Sequence, residues 1–449
     1  MSEGAGVPRA GEASADGARP TTALPISHLV RISLYWLGLT AIDGAVGLFT
    51  QNRLNFGGFA DPLEIGRIAF LISIPVAVLS ILIQPTVGAI SDYAVSRWGR
   101  RKPFIVFGSL LDLVFLAGIA LSSNALILGA FAALLAVSTN IARGPFQGYV
   151  PDLIAEKQVG MASALVGLMQ ILGNVTGFLL VTIAVAVGRI ELAIAAVALV
   201  ELLTMIAVVV RVSPGLPPAD RGDRSWTEIA RTAWGTDILQ ERSYVWLVAS
   251  RFFFLMGGAI LVNLVITYLK QVHGQSEVEA NGTNFVILII VVLANLLAII
   301  PSARISDRIG RKPVIYASCV VGAVGLTIAA LAPSVPFAML GAGLFGASAG
   351  TFLAVDWALI TDIIPRASSG RYMGLSNVAT GSSTVFAVMT GGLLLDLVNN
   401  TMGLGTGPRA AYLLGAVYYL VAIVLLRPVV EPDRRRSLRE ARDEAVATA

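Results

Sequence analysis

Twelve long apolar stretches, separated by shorter polar segments, run along the chain. Each is about 20 residues or longer, the length that an α-helix needs to cross the hydrocarbon core of a bilayer. Apolar residues do not alternate with polar ones, so the pattern excludes the strands of a membrane β-barrel. The predicted helices are residues 29–50, 66–91, 103–122, 125–149, 159–187, 192–212, 243–270, 283–302, 313–332, 335–361, 371–396 and 409–427.

Composition supports an all-α membrane protein. Hydrophobic residues make up 56% of the 449 residues and charged residues 13%, whereas about a quarter of the residues in soluble chains are charged. The single cysteine, Cys319, excludes an internal disulfide, and the two histidines lie at a helix start (His28) and in a predicted loop (His273). We therefore expect neither a metal site nor a cofactor.

Most of the 32 Lys and Arg residues lie on one side of the predicted helices. This bias places both termini in the cytoplasm by the positive-inside rule. The net charge of +4 then reflects membrane topology and gives no indication of nucleic-acid binding. We expect a monomeric, multi-pass protein of the plasma membrane, with the lipid bilayer as its surroundings.

The chain divides into two similar six-helix halves, residues 29–212 and 243–427. Cytoplasmic tails (1–28, disordered, and 428–449) and a cytoplasmic linker (213–242) complete it. A basic motif follows the second helix of each half, and another shared motif leads from the fourth helix into the fifth. The first pair begins at Gly88 and Ala303, and the second at Asp152 and Asp362.

The basic motifs resemble the loop between the second and third helices of the major facilitator superfamily, Gly-x-x-x-Asp-Arg/Lys-x-Gly-Arg-Arg/Lys. The second copy matches from Asp307 to Lys312, with Ala303 in place of the glycine. In the first copy, Gly99 follows Asp92 by seven positions instead of three. This longer form, and the segment 143–153, are similar to the branch that contains sucrose transporters and glycoside-pentoside-hexuronide:cation symporters.

The resemblance implies a fold of two pseudo-symmetric six-helix halves with the substrate site between them, and a transporter that is not an enzyme. It implies alternating access and symport of a sugar or glycoside with a proton or sodium ion. Departures from the sucrose transporters place Arg143 and Gln147 where those proteins carry glutamine and arginine. Their aspartate implied in proton coupling falls here on Ala136.

Ionisable groups inside the predicted helices are candidates for substrate binding or coupling, because each costs about 2.5–3.5 kcal/mol to insert at mid-membrane. We expect Asp43 and Arg143 to form a pair that substrate or a proton breaks during the cycle. The resemblance implies that helices 1, 4, 7 and 10 line the cavity. Amides, a carboxylate and stacking indoles, mostly on these helices and helix 5, complete the predicted sugar site: Trp36, Asn140, Gln147, Gln170, Asn174, Asn263, Asp356 and Trp357.

Several of these residues have structural alternatives. Arg143 could satisfy carbonyls freed by the Gly144-Pro145 kink, and Asp356 could pair with loop arginines. The indoles could serve packing. Arg251 is predicted to snorkel to the interface. Asp112 and Glu201 lie on helices 3 and 6, which the resemblance makes peripheral, and are predicted to serve helix packing.

The basic motifs are predicted to form a conformational latch that holds the cytoplasmic face closed. Its residues are Gly88, Asp92, Gly99, Arg100, Arg101, Asp307, Arg308, Gly310 and Arg311. The chain has no Gly-x-x-x-x-Gly-Lys-Ser/Thr phosphate loop and no large soluble domain, which argues against an ATP-driven pump or a sensor. A proton-coupled exporter of amphipathic drugs and a lipid carrier remain the alternatives to a sugar symporter.

Overall fold

The computed structural model describes residues 23–148, 153–154, 158–212, 225–228, 241–363 and 369–430. Twelve helices among these residues are long and apolar enough to cross a membrane. This confirms the predicted all-α fold. The helices are α1 (Ile26–Asn55), α2 (Ile65–Ser91), α3 (Lys102–Ala120), α4 (Ala125–Gln147), α5 (Val159–Ala186), α6 (Glu191–Arg211), α7 (Arg242–His273), α8 (Glu277–Ile309), α9 (Arg311–Leu331), α10 (Val335–Ile363), α11 (Ser369–Met402) and α12 (Thr406–Leu426).

Several helices extend beyond their apolar stretches. The clearest case is α8, predicted over residues 283–302, which begins at Glu277 and ends at Ile309. Its added turns carry Glu277 and Glu279 at one end and Arg308 at the other. Backbone hydrogen bonding continues through these polar turns, whereas hydropathy reports only the part of a helix that suits hydrocarbon.

A tight turn built on glycine follows α2 and again follows α8. Gly99 and Gly310 have φ angles of 88° and 100°, a region that side chains with a Cβ rarely adopt. Each glycine lies just before the first turn of the next helix. The sequence repeat is therefore also a repeat of backbone conformation.

The lysine after each turn binds the end of the sixth helix in its own half. Lys102 Nζ donates to the carbonyls of Val209 and Val212 at 2.7 and 2.6 Å. Lys312 Nζ donates to the carbonyls of Arg427, the residue after α12, and Val429 at 3.1 and 2.5 Å. Carbonyl groups at a helix C-terminus carry partial negative charge and are left without helical partners, so a cation stabilises them.

The described residues form two compact units. The first contains α1–α6 together with Val262–Leu288 and Val388–Pro408. The second contains the described parts of 236–261, 289–387 and 409–449. Helices α7, α8, α11 and α12 therefore contribute residues to both units.

Helix α1 is the central helix of the first unit, because it packs against both α5 and α6. Tyr35, Leu39, Leu48 and Phe49 on this helix are fully buried. Two glycines of α5 permit the close approach. A Cβ at Gly173 would overlap the carbonyl of Leu37, and a Cβ at Gly177 would overlap the carbonyl of Ala41.

Replacing Gly177 should destabilise the first unit. A leucine there must push α1 and α5 apart, so we expect Gly177→Leu to lower the midpoint of thermal unfolding in detergent. Gly167→Leu is the matched control on the same helix, because a Cβ at Gly167 meets no atom within 4 Å. Equal midpoints for the two variants would show that the α1–α5 contact is not a stabilising one.

Candidate functional site

Asp43 on α1 and Arg143 on α4 form an ion pair inside the first unit. Arg143 Nη2 donates to Asp43 Oδ2 at 2.7 Å and lies 3.5 Å from the carbonyl of Leu39. Arg143 Nε is buried and has no hydrogen-bond acceptor among the described residues. The guanidinium group therefore keeps hydrogen-bonding capacity that a ligand could use.

The two members of this pair differ in exposure. The Asp43 side chain is 46% exposed, whereas the Arg143 side chain is 19% exposed. Asp43 lies near the middle of a 30-residue helix whose surface is otherwise apolar over most of its length. A half-exposed carboxylate at this depth calls for a polar surrounding, because lipid cannot solvate it.

Trp36, on the same helix as Asp43, packs into the core of the first unit. Its side chain is mostly buried, and its ring centroid lies 5.7 Å from that of Phe146. Phe146 also makes an edge-to-face contact with Tyr35 at 4.9 Å. Packing, the alternative to sugar stacking, therefore describes the contacts that Trp36 makes in this structure.

The predicted amides of the first unit do not all converge on the ion pair. Asn140 is buried and donates to the hydroxyl of Ser80 on α2 at 3.0 Å. Asn174 Nδ2 donates to the carbonyl of Gln170 at 3.1 Å, which is a contact within α5. Gln147 is half-buried at the last turn of α4.

A second ion pair lies in the second unit, between α7 and α10. Arg251 donates to Asp356 through a short hydrogen bond, and its Nε lies 3.2 Å from the hydroxyl of Thr380 on α11. Both charged side chains are buried. The prediction that Arg251 snorkels to the interface is therefore wrong, and the partner of Asp356 is this intramembrane arginine. Asp356 Oδ1 has no donor among the described residues.

The structure says less about the two other predicted site residues of the second half, Asn263 and Trp357. Asn263 lies half-buried on α7, within the first unit. The side chain of Trp357 lies outside the described residues. Its proposed stacking on a sugar therefore stays a prediction.

The latch residues make ion pairs within each basic motif. Asp92 Oδ1 lies 3.0 Å from Arg101 and 3.9 Å from Arg100. Asp307 Oδ1 lies 3.3 Å from Arg311. The remaining latch positions, Gly88, Gly99, Arg308 and Gly310, surround these pairs in the chain. Opening and closing of such a latch stays a prediction.

Sequence reasoning missed a buried polar cluster in the first unit. Asp112 on α3 and Glu201 on α6 are fully buried, and their carboxyl groups are close enough to interact electrostatically. The hydroxyl of Tyr35 donates to Glu201 at 3.4 Å and lies 2.5 Å from the hydroxyl of Ser109. The apolar periodicity of α3 and α6 gave no signal that these two residues face each other.

Sequence reasoning also missed a set of contacts at the helix ends away from the basic loops, which we term the far-face seal. Asn52 on α1 and Asn281 on α8 exchange side-chain hydrogen bonds of 3.0 and 2.6 Å. Asn55 donates to the hydroxyl of Thr267 on α7 at 3.0 Å. The carbonyl of Asn55 accepts a short bond from Lys270.

The seal continues between α2 and α11. The Asp396 carboxylate accepts the backbone N–H groups of Gly66 and Arg67 at 2.9 and 2.6 Å. These groups belong to the first turn of α2, where a carboxylate satisfies donors that have no partner within the helix. Gly66 also contacts Gly392 so closely that a Cβ would overlap the Gly392 carbonyl.

The family described as the Major Facilitator Superfamily matches residues 32–293 and 247–449. These two ranges include nearly all residues of the twelve helices. The chain belongs to the Major Facilitator Superfamily. It is therefore an integral, multi-pass membrane protein, and its family and fold are those of transporters, not of enzymes.

Individual relatives in this superfamily match parts of the chain. The inner membrane transport protein YajR of Escherichia coli is 30% identical over 185 residues, which are 41% of this chain and 36% of that protein. The general alpha-glucoside permease of Schizosaccharomyces pombe is 32% identical over 168 residues, which are 33% of this chain and 30% of that protein. The chain thus spans about a third of the length of these relatives.

Solved structures share the fold over nearly the whole chain. A D-xylose-proton symporter has a TM-score of 0.66 at 15% identity, covering 91% of this chain and 98% of its own. At this identity the likeness concerns the fold.

The Arg251–Asp356 pair should stabilise the second unit only while both members are present. Removing one partner leaves a buried charge, so we expect Arg251→Leu or Asp356→Leu to lower the free energy of unfolding by about 3–5 kcal/mol. The double substitution should lower the free energy of unfolding by less than either single substitution does, because no charge is then left unpaired.

The exposed pair Glu64–Arg67 supplies the control. Glu64→Leu should change the free energy of unfolding by less than about 1 kcal/mol, because solvent screens that pair. The free energy of unfolding is measured in detergent for all four variants. A double substitution that costs as much as the sum of the single ones would show that the two charges do not interact.

Proposed function

We propose that the protein is a secondary active transporter that moves a sugar or glycoside together with a proton or sodium ion by alternating access. It would work as a monomer in the plasma membrane, with both termini in the cytoplasm, as the positive-inside rule favours. Its substrate site would lie between the two six-helix halves, as in transporters built from repeats.

The Asp43–Arg143 pair carries this proposal. A carboxylate can lose its charge by binding a proton or can bind a sodium ion, and in either state it releases the guanidinium group. The freed Arg143 can then donate hydrogen bonds to hydroxyl groups of a sugar. Binding of the ion and of the sugar thus favour each other, which is the requirement for symport.

Relatives support a hydroxylated solute. One relative is the general alpha-glucoside permease of Schizosaccharomyces pombe, and another is the minor myo-inositol transporter IolF of Bacillus subtilis. A solved structure of the same fold is that of a D-xylose-proton symporter. The resemblance to sucrose transporters and glycoside symporters in the basic motif points to the same chemical class.

Uptake into proteoliposomes tests the proposal. Labelled maltose, sucrose and xylose are offered with an inward pH gradient, an inward sodium gradient or neither. We expect one of the gradients to drive accumulation of at least one sugar. No uptake of any sugar, under conditions where a known symporter works, would contradict the proposal and favour an exporter of amphipathic compounds or a lipid carrier.

An aromatic cluster in the second unit favours the alternative function, export of amphipathic compounds. Rings of Phe252, Phe253, Phe386 and Tyr418 lie 5.5–5.7 Å apart along the series. Phe386 in this cluster is 45% exposed. Aromatic side chains are well suited to bind apolar parts of amphipathic molecules. Efflux of a lipophilic dye from the same proteoliposomes distinguishes this function from sugar symport.

Neutralising the ion pair should abolish sugar accumulation without unfolding the protein. Asp43→Asn removes the charge that holds Arg143, and Arg143→Ala removes the donor. Asp61→Asn and Arg189→Ala are matched controls in exposed loops. Accumulation at the wild-type level in either pair variant would refute the role of the pair.

Locking the far-face seal should stop transport. In a Cys319→Ala background, Asn52→Cys and Asn281→Cys can be joined by a short bifunctional methanethiosulfonate reagent, because their native side chains contact each other. We expect uptake to stop on cross-linking and to return after reduction. Asn52→Cys alone, treated identically, is the control. Full uptake by the cross-linked protein would contradict alternating access through this face.

A further inference from the structure

We propose that Asp112 and Glu201 form a proton-binding site inside the first unit, and that the proton held there is the ion that drives transport. This inference rests on the proposed symport function, identifies its coupling ion as a proton, and places the binding site at this pair instead of at Asp43. The two carboxyl groups come from α3 and α6, outside the helices that were expected to line the substrate cavity.

Among the residues that the structure describes, each carboxyl group has hydrogen-bond donors at only one of its oxygens. Asp112 Oδ1 accepts the hydroxyl of Thr139 on α4 at 2.9 Å and a short bond from Ser138. Glu201 Oε1 accepts the hydroxyl of Tyr35 at 3.4 Å. These contacts anchor the carboxyl groups to α4 and α1 respectively.

The second oxygens indicate what the site binds. Asp112 Oδ2 and Glu201 Oε2 are buried and have no hydrogen-bond donor among the described residues. Two neighbouring carboxylates, away from water, repel each other strongly. A single proton removes one charge and lets the protonated group donate to the other, which satisfies both oxygens.

No cation within salt-bridge distance competes for this role in the part of the chain that the structure describes. The charged and titratable groups that face the pair are Tyr35 from α1 and Arg143 from α4, besides the two carboxyl groups on α3 and α6. Arg143 acts on Asp112 from a distance, because its guanidinium group bonds to Asp43. Two fully buried carboxyl groups with hydroxyl partners suit a proton better than a hydrated metal ion.

Helix α4 connects the proton site to the substrate-side ion pair. It carries Ser138 and Thr139, which hold Asp112, and Arg143 about one turn further along. When the proton leaves the carboxyl pair for water, the pair gains one negative charge and attracts Arg143 more strongly. This attraction draws the guanidinium group toward Asp112 and away from the position at which we propose that it binds the sugar, so proton binding favours sugar binding. Proton occupancy is thereby sensed at the residue that we propose binds the sugar.

Substitutions that mimic the protonated state test this inference. Glu201→Gln and Asp112→Asn keep the size of each side chain but cannot exchange a proton. Glu191→Gln is the matched control on the same helix, because Glu191 is partly exposed and pairs with Arg53. Each variant is assayed for accumulation driven by a pH gradient and for sugar counterflow, which needs no ion gradient.

We expect both pair variants to lose pH-driven accumulation to the level of protein-free liposomes while retaining counterflow. The Glu191→Gln control should keep both activities. Accumulation that survives in both pair variants would overturn the proton site. Loss of counterflow as well, in variants with unchanged thermal stability, would also overturn it and assign the pair to the conformational cycle. Accumulation of sugar by the wild-type protein with sodium alone would refute the proton site but leave sugar symport intact.

A measurement without substrate separates this inference from the proposed function. Infrared difference spectra of the purified wild-type protein between neutral and alkaline pH should contain a protonated-carboxyl C=O band. This band should vanish in Glu201→Gln or Asp112→Asn and persist in Glu191→Gln. An identical band in all variants, or no band in the wild type, would overturn the proton site whether or not any sugar is transported.

Discussion

Compensation of buried charge is the constraint on which the rest of this structure depends. A charged side chain surrounded by apolar helices needs a partner of opposite charge or a proton, because neither lipid nor packed side chains can solvate it. In the first unit, Arg143 compensates Asp43, and in the second unit Arg251 compensates Asp356. Asp43 is half exposed, whereas both members of the Arg251–Asp356 pair are buried, and breaking that pair costs a sizeable part of a protein's net stability. These pairs therefore help to determine which faces of α1 and α4, and of α7 and α10, meet.

The two halves use the same framework for different chemistry. In the sequence repeat, Phe146 and Asp356 occupy the same position, six residues before Asp152 and Asp362. Phe146 packs against Tyr35 on α1, whereas Asp356 bonds to Arg251 on α7. The charge pair of the first half lies elsewhere, with Asp43 eight residues further along α1 than Tyr35. The repeat thus preserves turns and helix ends, as Gly99, Gly310, Lys102 and Lys312 illustrate, while the buried polar groups have diverged.

Hydropathy predicted the number and order of the helices because insertion of each helix depends on its own sequence. Helix ends such as those of α8 extended further, since backbone hydrogen bonding continues into polar turns. The pairing of Asp43 with Arg143 followed from two isolated opposite charges on helices expected to be neighbours. Arg251 was misassigned because its distance from the helix start does not reveal that α10 presents Asp356 to it.

Contacts that depend on the rotation of one helix against another were not accessible from a single sequence. Asp112 and Glu201 lie 89 positions apart, and nothing in either helix specifies that they meet. The same holds for the far-face seal, in which Asp396 caps α2 from more than 300 residues away. Trp36 illustrates the converse case, because its residue type suited a sugar site while its orientation places it in the core.

The most direct test of proton-coupled sugar transport is to measure the movement of protons when sugar alone is supplied. Sugar is added outside proteoliposomes that enclose a pH-sensitive dye, with no ion gradient imposed. If each sugar molecule enters together with a proton, the interior of the proteoliposomes acidifies as sugar enters, and this is the result that we expect. Entry of sugar at an unchanged internal pH, with the membrane otherwise proton-tight, would contradict it.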